Sequence, residues 1–438
     1  MKDTNPKIGN YRWTICFLVF FATTINYLDR QVISLLKPTL EKEFNWSESD
    51  YSNIVIAFTL AYAIGMLGVG RIIDKIGTKL GYAFSLILWS IASILHAFAT
   101  STFSFAAYRA MLGVSEAGNF PAAIKTVAEW FPKKERALAT GIFNSGTNIG
   151  AILAPIAVPW LAITYSWQMA FIATGAVGLI WLILWFAMYE IPSKHKRLSK
   201  AEFDYIHSDV EVEQEKGEEE PKIPWLKLLS YKQTWSFILG KFLTDGIWWF
   251  FLFWLPAFLI SEYGLVGMQV TFPIVVVYTM TCFGSILGGW LPMWFVKSKG
   301  WSIVRARKTS MFIYALFPTL VIFSQQAGSV NMWYAVVIIG IAASAHQAWS
   351  ANIFTTVSDM FPKSSIGSVI GMGGMAGGLG GMAIAKLAGK LFDHYKALGH
   401  IQTGYYIMFF ICGVAYLIAW FVMFRLLVPK MTPIVDEK

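Results

Sequence analysis

Four charged residues lie in segments that are otherwise apolar, and their types suit the binding of an anion and of protons. Asp29 and Arg30 fall within the run from Asn26 to Gln31. Arg109 and Glu116 lie seven residues apart in a later apolar segment. A guanidinium group holds a carboxylate through two parallel hydrogen bonds, and a carboxyl group in a partly dehydrated cavity loads and releases protons near neutral pH. The arginines therefore suit carboxylate capture, and the acids suit proton exchange.

Helical spacing decides which of these residues can neutralise one another locally. Neighbouring residues of a helix point about 100° apart, so Asp29 and Arg30 face different directions. Residues seven apart share one face at roughly 10 Å along the axis, so Arg109 and Glu116 do not touch. Two charges in the middle of a membrane span oppose insertion by roughly 5 to 7 kcal/mol, which favours side chains that face an aqueous cavity. Local neutralisation of Asp29 and a permanently ionised, paired Glu116 are the alternatives.

A second polar cluster, in the run from His346 to Thr355, combines groups that suit a sugar. His346, Trp349 and Asn352 recur at spacings of three, and Gln347 lies beside them. A Trp ring offers a flat apolar surface to the C–H face of a sugar, while His, Gln and Asn side chains bond hydroxyls. The pattern predicts a carbohydrate pocket. Hydrogen bonds that only join helices are the alternative.

Two further features leave their chemistry open. Lys241 and Asp245 are four residues apart, so they either neutralise each other across one helical turn or line a cavity or gate. The glycines between Gly367 and Gly381 indicate close helix approach, and their spacing does not match a phosphate-binding loop. The sequence contains no nucleophile constellation or metal-ligand cluster. We therefore expect no cofactor, no metal ion and no enzymatic activity.

These residues must be positioned by helices that cross a membrane. Of the 438 residues, 56% are hydrophobic and 14% are charged, and the mean hydropathy is +0.54; soluble domains carry about 25% charged residues. Composition therefore excludes a water-soluble enzyme and predicts an all-α integral membrane protein. Twelve apolar segments are long enough to span roughly 30 Å as a helix. They cover residues 14–36, 51–72, 81–99, 103–128, 137–163, 167–190, 234–260, 269–296, 308–326, 331–360, 365–392 and 402–428.

The charges outside these segments predict domain boundaries and topology. Residues 191–233 hold clusters of both signs and are predicted to form a cytoplasmic linker between two six-helix halves, residues 1–190 and 234–438. Most of the 35 Lys and Arg residues lie at the termini and in the even-numbered connections. By the positive-inside rule, both termini are predicted to be cytoplasmic. The net charge of +9 is thus explained by topology and does not indicate a nucleic-acid partner.

An internal repeat supports two equivalent halves. Residues 126–133 match residues 356–363 at a constant offset of 230, with five identities in eight positions. A second motif lies between segments 2 and 3, where Gly70, Asp74 and Gly77 occur in a run with several basic residues. Such a run predicts a tight turn whose charges latch helix ends in one of two conformations.

On these residues, the chain resembles the major facilitator superfamily, and within it the anion:cation symporter family and its hexuronate transporters. The superfamily layout is twelve transmembrane helices in two parallel six-helix repeats, and the run from Gly70 to Lys79 is similar to its cytoplasmic motif. The segments that carry the family resemblance are residues 26–30, 109–121, 131–144 and 346–363. The resemblance covers nearly the whole chain.

The resemblance implies a role for each group of residues. The substrate carboxylate would be held by Arg30 and Arg109, with Tyr27 lining the pocket. Proton uptake would be coupled to transport by Asp29 and Glu116. Sugar hydroxyls would be contacted by His346, Gln347, Trp349 and Asn352. A conformational latch would be formed by Gly70, Asp74, Gly77 and Arg136.

We therefore expect proton-coupled symport of a sugar-acid anion, a hexuronate such as glucuronate or galacturonate, across a bacterial inner membrane by alternating access. The protein is expected to function as a monomer in the lipid bilayer. One departure widens the choice of substrate: galactonate-type relatives carry an Asn in segment 11 where this chain has Gly373 or Gly374. The alternatives are transport of another organic anion such as an aldonate, sodium coupling or exchange, and a sugar-acid sensor that does not transport.

Overall fold

The computed structural model describes residues 9–208, 223–361, 363–432 and 434. Within these ranges the protein is helical and contains no strand, which confirms the predicted all-α class. The helices before residue 209 are α1 (Tyr11–Phe44), α2 (Glu48–Ile76), α3 (Thr78–Leu95), α4 (Thr102–Glu116), α5 (Asn119–Trp130), α6 (Lys133–Thr164), α7 (Trp167–Met188) and α8 (Lys200–Ile206). Those after residue 222 are α9 (Trp225–Leu228), α10 (Lys232–Tyr263), α11 (Thr271–Lys299), α12 (Ile303–Leu316), α13 (Ser324–Val330), α14 (Met332–Met360), α15 (Lys363–Ala397) and α16 (Ile401–Phe421). A 3-10 helix (Phe317–Phe323) joins α12 to α13, and a π-helical turn (Val422–Leu427) extends α16.

Polar caps fix where several of these helices begin and end. The hydroxyl of Ser47 accepts a hydrogen bond from the backbone N–H of Asp50, whose carboxylate accepts one from the backbone N–H of Ser47. This reciprocal arrangement satisfies N–H groups that the first turn of α2 leaves free. Ser101 and Ser104 form the same arrangement at α4. At the other end, α1 stops where Asn45 adopts a left-handed conformation with φ of 51°, which Asn tolerates well.

Two of the predicted segments are interrupted. The segment predicted over residues 103–128 consists of two helices, α4 and α5. Pro121 explains this break, because it lacks the N–H that would bond the carbonyl of Ala117 and its ring clashes with that carbonyl. The segment predicted over residues 308–326 is interrupted in the same way by the 3-10 helix that contains Pro318. Local proline chemistry therefore overrides the continuous apolar pattern.

Ten stretches in the described part of the chain are long and apolar enough to cross a membrane. They correspond to the predicted segments except the first and the fourth. Segment 1 is α1, whose middle carries the polar residues Asn26, Asp29, Arg30 and Gln31. Segment 4 is the broken pair α4 and α5. The two segments that are less apolar or shorter are therefore the ones that hold the four charged residues of interest.

The long helices pack as two groups. In the first group α1 packs against α6, α2 against α4, and α3 against α7; in the second, α11 packs against α14, and α10 against α15 and α16. Between the groups, α2 packs against α15, α6 against α11, and α1 against α10. In the predicted repeat, α2 corresponds to α11 and α6 corresponds to α15. The contact between α2 and α15 is therefore equivalent to the contact between α11 and α6. This packing is consistent with two related halves that meet around α1 and α10.

Candidate functional site

Close backbone contacts position the helices that carry the charged residues of α1 and α4. A Cβ atom at position 113 would lie 2.4 Å from the backbone oxygen of Phe58, and one at position 150 would lie 2.4 Å from that of Thr24. Only glycine fits at such a separation. Gly113 therefore lets α4 approach α2, and Gly150 lets α6 approach α1. Side chains from α1, α2 and α4 meet beside them, because Arg30 contacts both Phe58 and Glu116.

Arg30 and Glu116 form a buried ion pair at this convergence. The Nε atom of Arg30 donates to Oε2 of Glu116 over 2.6 Å, and the two side chains are 2% and 0% exposed. The pair is not saturated: among the described residues, Nη2 of Arg30 and Oε1 of Glu116 have no hydrogen-bond partner. Glu116 is thus paired, as one of the two sequence interpretations requires, yet both partners retain capacity for a further group.

Four aromatic rings surround the guanidinium group of Arg30. Its Cζ atom lies 4.6 Å from the ring centre of Tyr27 and 4.7 Å from that of Tyr62. The rings of Phe58 and Trp249 are each 5.5 Å away. Such contacts stabilise a cation away from water. Sequence reasoning missed Phe58 and Tyr62, although their four-residue spacing on α2 places them on one face. Trp249 belongs to α10, so the site includes both groups of helices.

Arg109 is buried beside this pair without a hydrogen bond of its own. It is 1% exposed, and its Cζ atom lies 5.8 Å from the ring centre of Phe58. Within the described ranges, none of its three guanidinium nitrogens has a hydrogen-bond partner. Most buried polar groups in proteins are hydrogen-bonded, so a buried guanidinium group whose N–H donors lack acceptors is unusual. A carboxylate is the group that satisfies it with matching geometry.

Asp29 faces away from Arg30, as its position on α1 predicts. Its Oδ1 atom accepts a hydrogen bond from Oγ of Ser93 on α3 over 2.9 Å. That hydroxyl lies 3.3 Å from Oγ1 of Thr174 on α7. The second oxygen of Asp29 has no hydrogen-bond partner in the part of the chain that is described, and no ion pair joins Asp29 to Arg30 there. Asp29 is therefore a second buried acid, held by hydroxyl groups instead of cations.

His346 belongs to a hydrogen-bonded and stacked cluster in the second group of helices. Its Nδ1 atom lies 2.6 Å from the hydroxyl of Tyr416 on α16, and its ring stacks on Trp248 with centres 5.1 Å apart and planes at 9°. The Tyr416 hydroxyl also lies 3.4 Å from the backbone oxygen of Thr244, to which it can donate. His346 is buried. These contacts join α10, α14 and α16 at the level of the predicted sugar cluster.

The other three residues of the predicted sugar cluster lie in different surroundings. Asn352 donates to the backbone oxygens of Gly288 over 2.7 Å and Ala348 over 2.8 Å, so it joins α14 to α11. Trp349 is buried, and its indole N–H has no acceptor among the described residues. Gln347 is partly exposed. The structure thus places Asn352 in a helix contact and leaves Gln347 partly exposed.

The predicted latch is described in part. Gly70 lies in α2, and Gly77 ends that helix with φ of 85°, a conformation that favours glycine. The side chains of Asp74 and Arg136 lie outside the described part of the structure. The structure therefore places the tight turn of this motif but leaves its charge contacts as a prediction.

Two acids that sequence reasoning did not assign bind the starts of α3 and α12. Oε1 of Glu129 accepts from Oγ1 of Thr78 over 2.6 Å. Oδ2 of Asp359 pairs with Nε of Arg307 over 2.6 Å. The repeat offset of 230 aligns Glu129 with Asp359, and this alignment could have identified them as equivalent acids. Each half therefore ties one helix start to an acid at the same position of the repeat.

The two groups of helices are joined at one end of the molecule. The backbone N–H groups of Glu48 and Ser49, which start α2, donate to the two carboxylate oxygens of Asp393 on α15 over 2.7 and 2.9 Å. The carboxylate of Glu48 pairs with Lys37 at 2.9 Å and with Lys396 at 3.4 Å. A carboxylate at a helix N-terminus interacts favourably with the helix dipole. We call this region, the end of α1, the start of α2 and the end of α15, the closed end.

Known proteins are similar to this chain in sequence and in fold. The Major Facilitator Superfamily profile matches residues 19–385. The hexuronate transporter of Escherichia coli strain K12 is 34% identical over 88% of this chain and 89% of that protein. The galacturonate transporter of Dickeya chrysanthemi is 36% identical over 71% of this chain and 90% of that protein. The solved D-xylose-proton symporter has the same fold, with a TM-score of 0.76 at 16% identity over 97% of this chain and 100% of that one.

These matches confirm the family that the residues resemble. Relatives that cover most of the chain are named as transporters, so the expectation of a transporter and not an enzyme is confirmed. The helices that could cross a membrane agree with a multi-pass protein of this family. The chain belongs to the Major Facilitator Superfamily and is a multi-pass membrane transporter similar to hexuronate and galacturonate transporters.

Proposed function

We propose that the protein imports a hexuronate, such as glucuronate or galacturonate, together with protons. The observation that carries this proposal is the unpartnered guanidinium of Arg109 beside the incompletely satisfied pair of Arg30 and Glu116. Two adjacent arginines with free donors suit one carboxylate. The names of the two relatives described above support a sugar acid as the carrier of that carboxylate.

Proton coupling follows from the competition for Arg30. While Glu116 is ionised, it holds Nε of Arg30 at 2.6 Å. A proton on Glu116 removes that charge, so Arg30 becomes free to bind the substrate carboxylate together with Arg109. Asp29 points to a different side of α1, where one of its oxygens has no hydrogen-bond partner among the described residues, and it provides a second proton site. In this scheme the carboxylates of Glu116 and of the substrate compete for Arg30. A proton on Glu116 therefore favours substrate binding, and bound substrate favours protonation of Glu116.

The energetics of uptake favour such coupling. At a negative-inside potential, an anion is repelled from the cytoplasm by about 2.3 kcal/mol per charge per 100 mV. One proton carried with the anion cancels this repulsion. A second proton makes uptake electrogenic, and the potential then drives accumulation. Two separate acids within α1 and α4 allow either stoichiometry.

Alternating access is proposed to occur by rocking of the two halves, residues 1–190 and 234–438, connected by residues 191–233. With both termini in the cytoplasm of a bacterial cell, the closed end faces the outside of the inner membrane. The capping of α2 by Asp393 would then seal the outer side while the substrate leaves inward. We propose that the protein functions as a monomer.

The sugar end of the substrate is proposed to contact the second half. Gln347 has solvent access on α14, and His346 lies one residue before it. The roles proposed for Trp349 and Asn352 are contacts to the sugar in another conformation, because here Asn352 bonds backbone oxygens. Trp249, which touches Arg30 from α10, would link the carboxylate site to the sugar site.

Transport into proteoliposomes tests the proposal. An inward proton gradient should accelerate accumulation of labelled glucuronate by the wild type, and a sodium gradient of equal size should not. Glu116→Gln should lose gradient-driven accumulation but keep exchange of internal for external substrate. Glu129→Gln changes an acid outside the site and serves as the matched control. Undiminished accumulation by Glu116→Gln would contradict the role of Glu116, and sodium-driven accumulation would contradict proton coupling.

An aldonate such as galactonate is the second candidate substrate. One observation bears on it: a Cβ atom at position 373 would lie 2.1 Å from the ring of Phe237. The Asn of galactonate-type relatives therefore does not fit at position 373 unless Phe237 moves, whereas position 374 has room. With glycine at both positions, this chain lacks the amide of the galactonate-type relatives, and we therefore expect a hexuronate to bind better than galactonate. Competition of labelled glucuronate with unlabelled galactonate separates the two, since galactonate should be the weaker competitor.

A further inference from the structure

Asp245 differs from the other charged residues buried in the middle of the helices. Asp29, Arg30, Arg109 and Glu116 are each 0% or 1% exposed. The side chain of Asp245 is 19% exposed, although the residues that follow it on α10, from 246 to 259, are all buried. Because α10 packs against α1, α14, α15 and α16, the accessible side of this carboxylate faces the space between these helices.

The position of Asp245 relates it to the carboxylate site. Trp249 lies one turn further along α10, and its ring centre is 5.5 Å from Cζ of Arg30. Four residues rise roughly 6 Å along the helix axis. Trp248, three residues after Asp245, stacks on His346. Asp245 therefore lies on α10 about one turn from the contacts that this helix makes with the arginine site and with the His346 cluster.

The neighbouring helix leaves the Asp245 carboxylate accessible. A Cβ atom at position 377 of α15 would lie 2.3 Å from Oδ2 of Asp245, and one at position 381 would lie 2.7 Å from Cδ1 of Trp249. Gly377 and Gly381 thus let α15 pack directly against these two side chains, and Asp245 still keeps part of its side chain exposed. The space beside Asp245 is determined by glycine at position 377.

Lys241 neutralises Asp245 from the same helix. Its Nζ atom lies 2.6 Å from Oδ2 of Asp245 and 4.4 Å from the ring centre of Phe354. The pair has no net charge, so it does not repel a monoanion bound at Arg30 and Arg109. The carboxylate still offers acceptor oxygens to hydroxyl groups. Lys241 is more deeply buried than Asp245, so a second negative charge that comes close to the pair meets the carboxylate first and is repelled in a site partly shielded from water.

We propose that the Lys241–Asp245 pair selects sugar acids by charge: it accepts the hydroxyl-bearing end of a monoanionic hexuronate and rejects a dianionic sugar diacid. This inference rests on the proposed function, because the first carboxylate must be held by the arginines. The second carboxylate of a diacid such as glucarate is at the opposite end of the six-carbon chain, where it faces Asp245. Specificity of this kind depends on the repulsive element as much as on the attractive one.

Competition for labelled glucuronate uptake in proteoliposomes tests the proposal. For the wild type, unlabelled glucuronate should compete at much lower concentration than glucarate. Asp245→Asn removes the repelling charge and leaves Lys241 free to attract the second carboxylate, so the preference should shift at least tenfold towards glucarate. Lys241→Gln combined with Asp245→Asn removes both charges and should cancel most of that gain. Asp245→Glu keeps the charge and should retain the wild-type preference.

The outcomes separate this inference from the proposed function. A wild type that does not take up glucuronate contradicts the proposed function. A wild type that does, together with an Asp245→Asn variant whose preference changes less than twofold, overturns the role of Asp245. Lys241→Gln is a second test that applies even if Asp245→Asn does not fold. In Lys241→Gln the Asp245 carboxylate has lost its lysine partner, so glucarate should compete less well than in the wild type. Equal or stronger competition by glucarate in Lys241→Gln overturns the inference.

Discussion

The region around Arg30 and the region around His346 differ in how their buried polar groups are hydrogen-bonded. Around Arg30, charges come from separate helices and are incompletely satisfied, and Arg109 has no hydrogen-bond partner among the described residues. Around His346, the partners are local: His346 bonds Tyr416, and Lys241 pairs with Asp245 one turn away, although the indole N–H of Trp349 has no acceptor among the described residues. Since buried polar groups are normally hydrogen-bonded, we propose that the first region, with its buried arginines, binds the ligand. We propose that the second region shapes the site around that ligand.

The largest effect is expected from substitution of Arg109. Arg109→Met removes a bidentate, charge-assisted contact worth roughly 3 kcal/mol or more, so glucuronate affinity should fall by about 100-fold or more. Tyr416→Phe removes one hydroxyl that is already bonded within the protein, and affinity should fall less than tenfold. Isothermal titration of the purified variants compares the two. Equal losses in both variants would remove the distinction between the regions.

Stability in the absence of ligand should change in the opposite order. Arg109→Met replaces a buried cation without a hydrogen bond by an apolar side chain, which should raise the free energy of unfolding by about 1 to 3 kcal/mol. Tyr416→Phe leaves Nδ1 of His346 unbonded and should lower it by about 1 to 2 kcal/mol. Melting temperatures of ligand-free protein in detergent measure both. A destabilised Arg109→Met variant would indicate that Arg109 has a structural role.

A moderate effect is expected at the closed end. Asp393→Asn leaves one acceptor oxygen where two backbone N–H groups of α2 now bind, and it removes a charge at a helix N-terminus. This should weaken the closed end by about 1 to 2 kcal/mol and shift the population towards an outward-open state. Alkylation of a cysteine introduced at Ser52, which bonds the backbone oxygen of Ala385, should then be faster.

Lys386 provides the matched control for this prediction. It crosses the same end through a hydrogen bond to Asn53 that is exposed to solvent. Exposed contacts contribute little, so Lys386→Gln should leave the labelling rate at Ser52 nearly unchanged. A similar acceleration in both variants would mean that labelling reports a general loosening and not the cap on α2.

The smallest effect is expected from an exposed charge pair. Lys79 donates to Glu190 over 2.8 Å, and this hydrogen bond lowers the pKa of Glu190 below its ordinary value. A lowered pKa contributes stability above the unfolded pKa, and that contribution disappears as the pH falls through the folded pKa. Both side chains are about one-third exposed, so Lys79→Gln should cost at most a few tenths of a kcal/mol near neutral pH. The difference in melting temperature should shrink as the pH falls below the unfolded pKa of about 4.3, and it should vanish once the pH is below the lowered folded pKa. If the melting temperatures of the wild type and Lys79→Gln still differ at low pH, the side chain of Lys79 stabilises the protein through packing and not through its charge.

Much of the architecture follows from local patterns, while the site contacts do not. Apolar length and charge distribution predict most of the helices, and the angle between neighbouring helical residues predicts that Asp29 and Arg30 face apart. The pairing of Arg30 with Glu116 joins two helices, and the two residues are 86 positions apart in the sequence. The spacing of residues within one helix cannot indicate such a contact. Trp249 belongs to an aromatic run in which only the packing of α10 against α1 singles out one ring.

Two misses have simpler physical origins. The unbroken fourth segment was wrong because hydropathy does not register the missing N–H of Pro121. Glu129 and Asp359 were aligned by the repeat, but their contacts with Thr78 and Arg307 depend on where α3 and α12 begin. In both cases the decisive information lies in backbone geometry and not in residue composition.

Proton uptake on substrate binding tests the central claim most directly. Glucuronate is titrated into the purified protein by calorimetry in buffers of different ionisation enthalpy, which counts the protons taken up per ligand bound. Competition between Glu116 and substrate for Arg30 predicts proton uptake by the wild type and a smaller uptake by Glu116→Gln. Proton uptake that is zero in the wild type, or equal in the two proteins, would contradict the account.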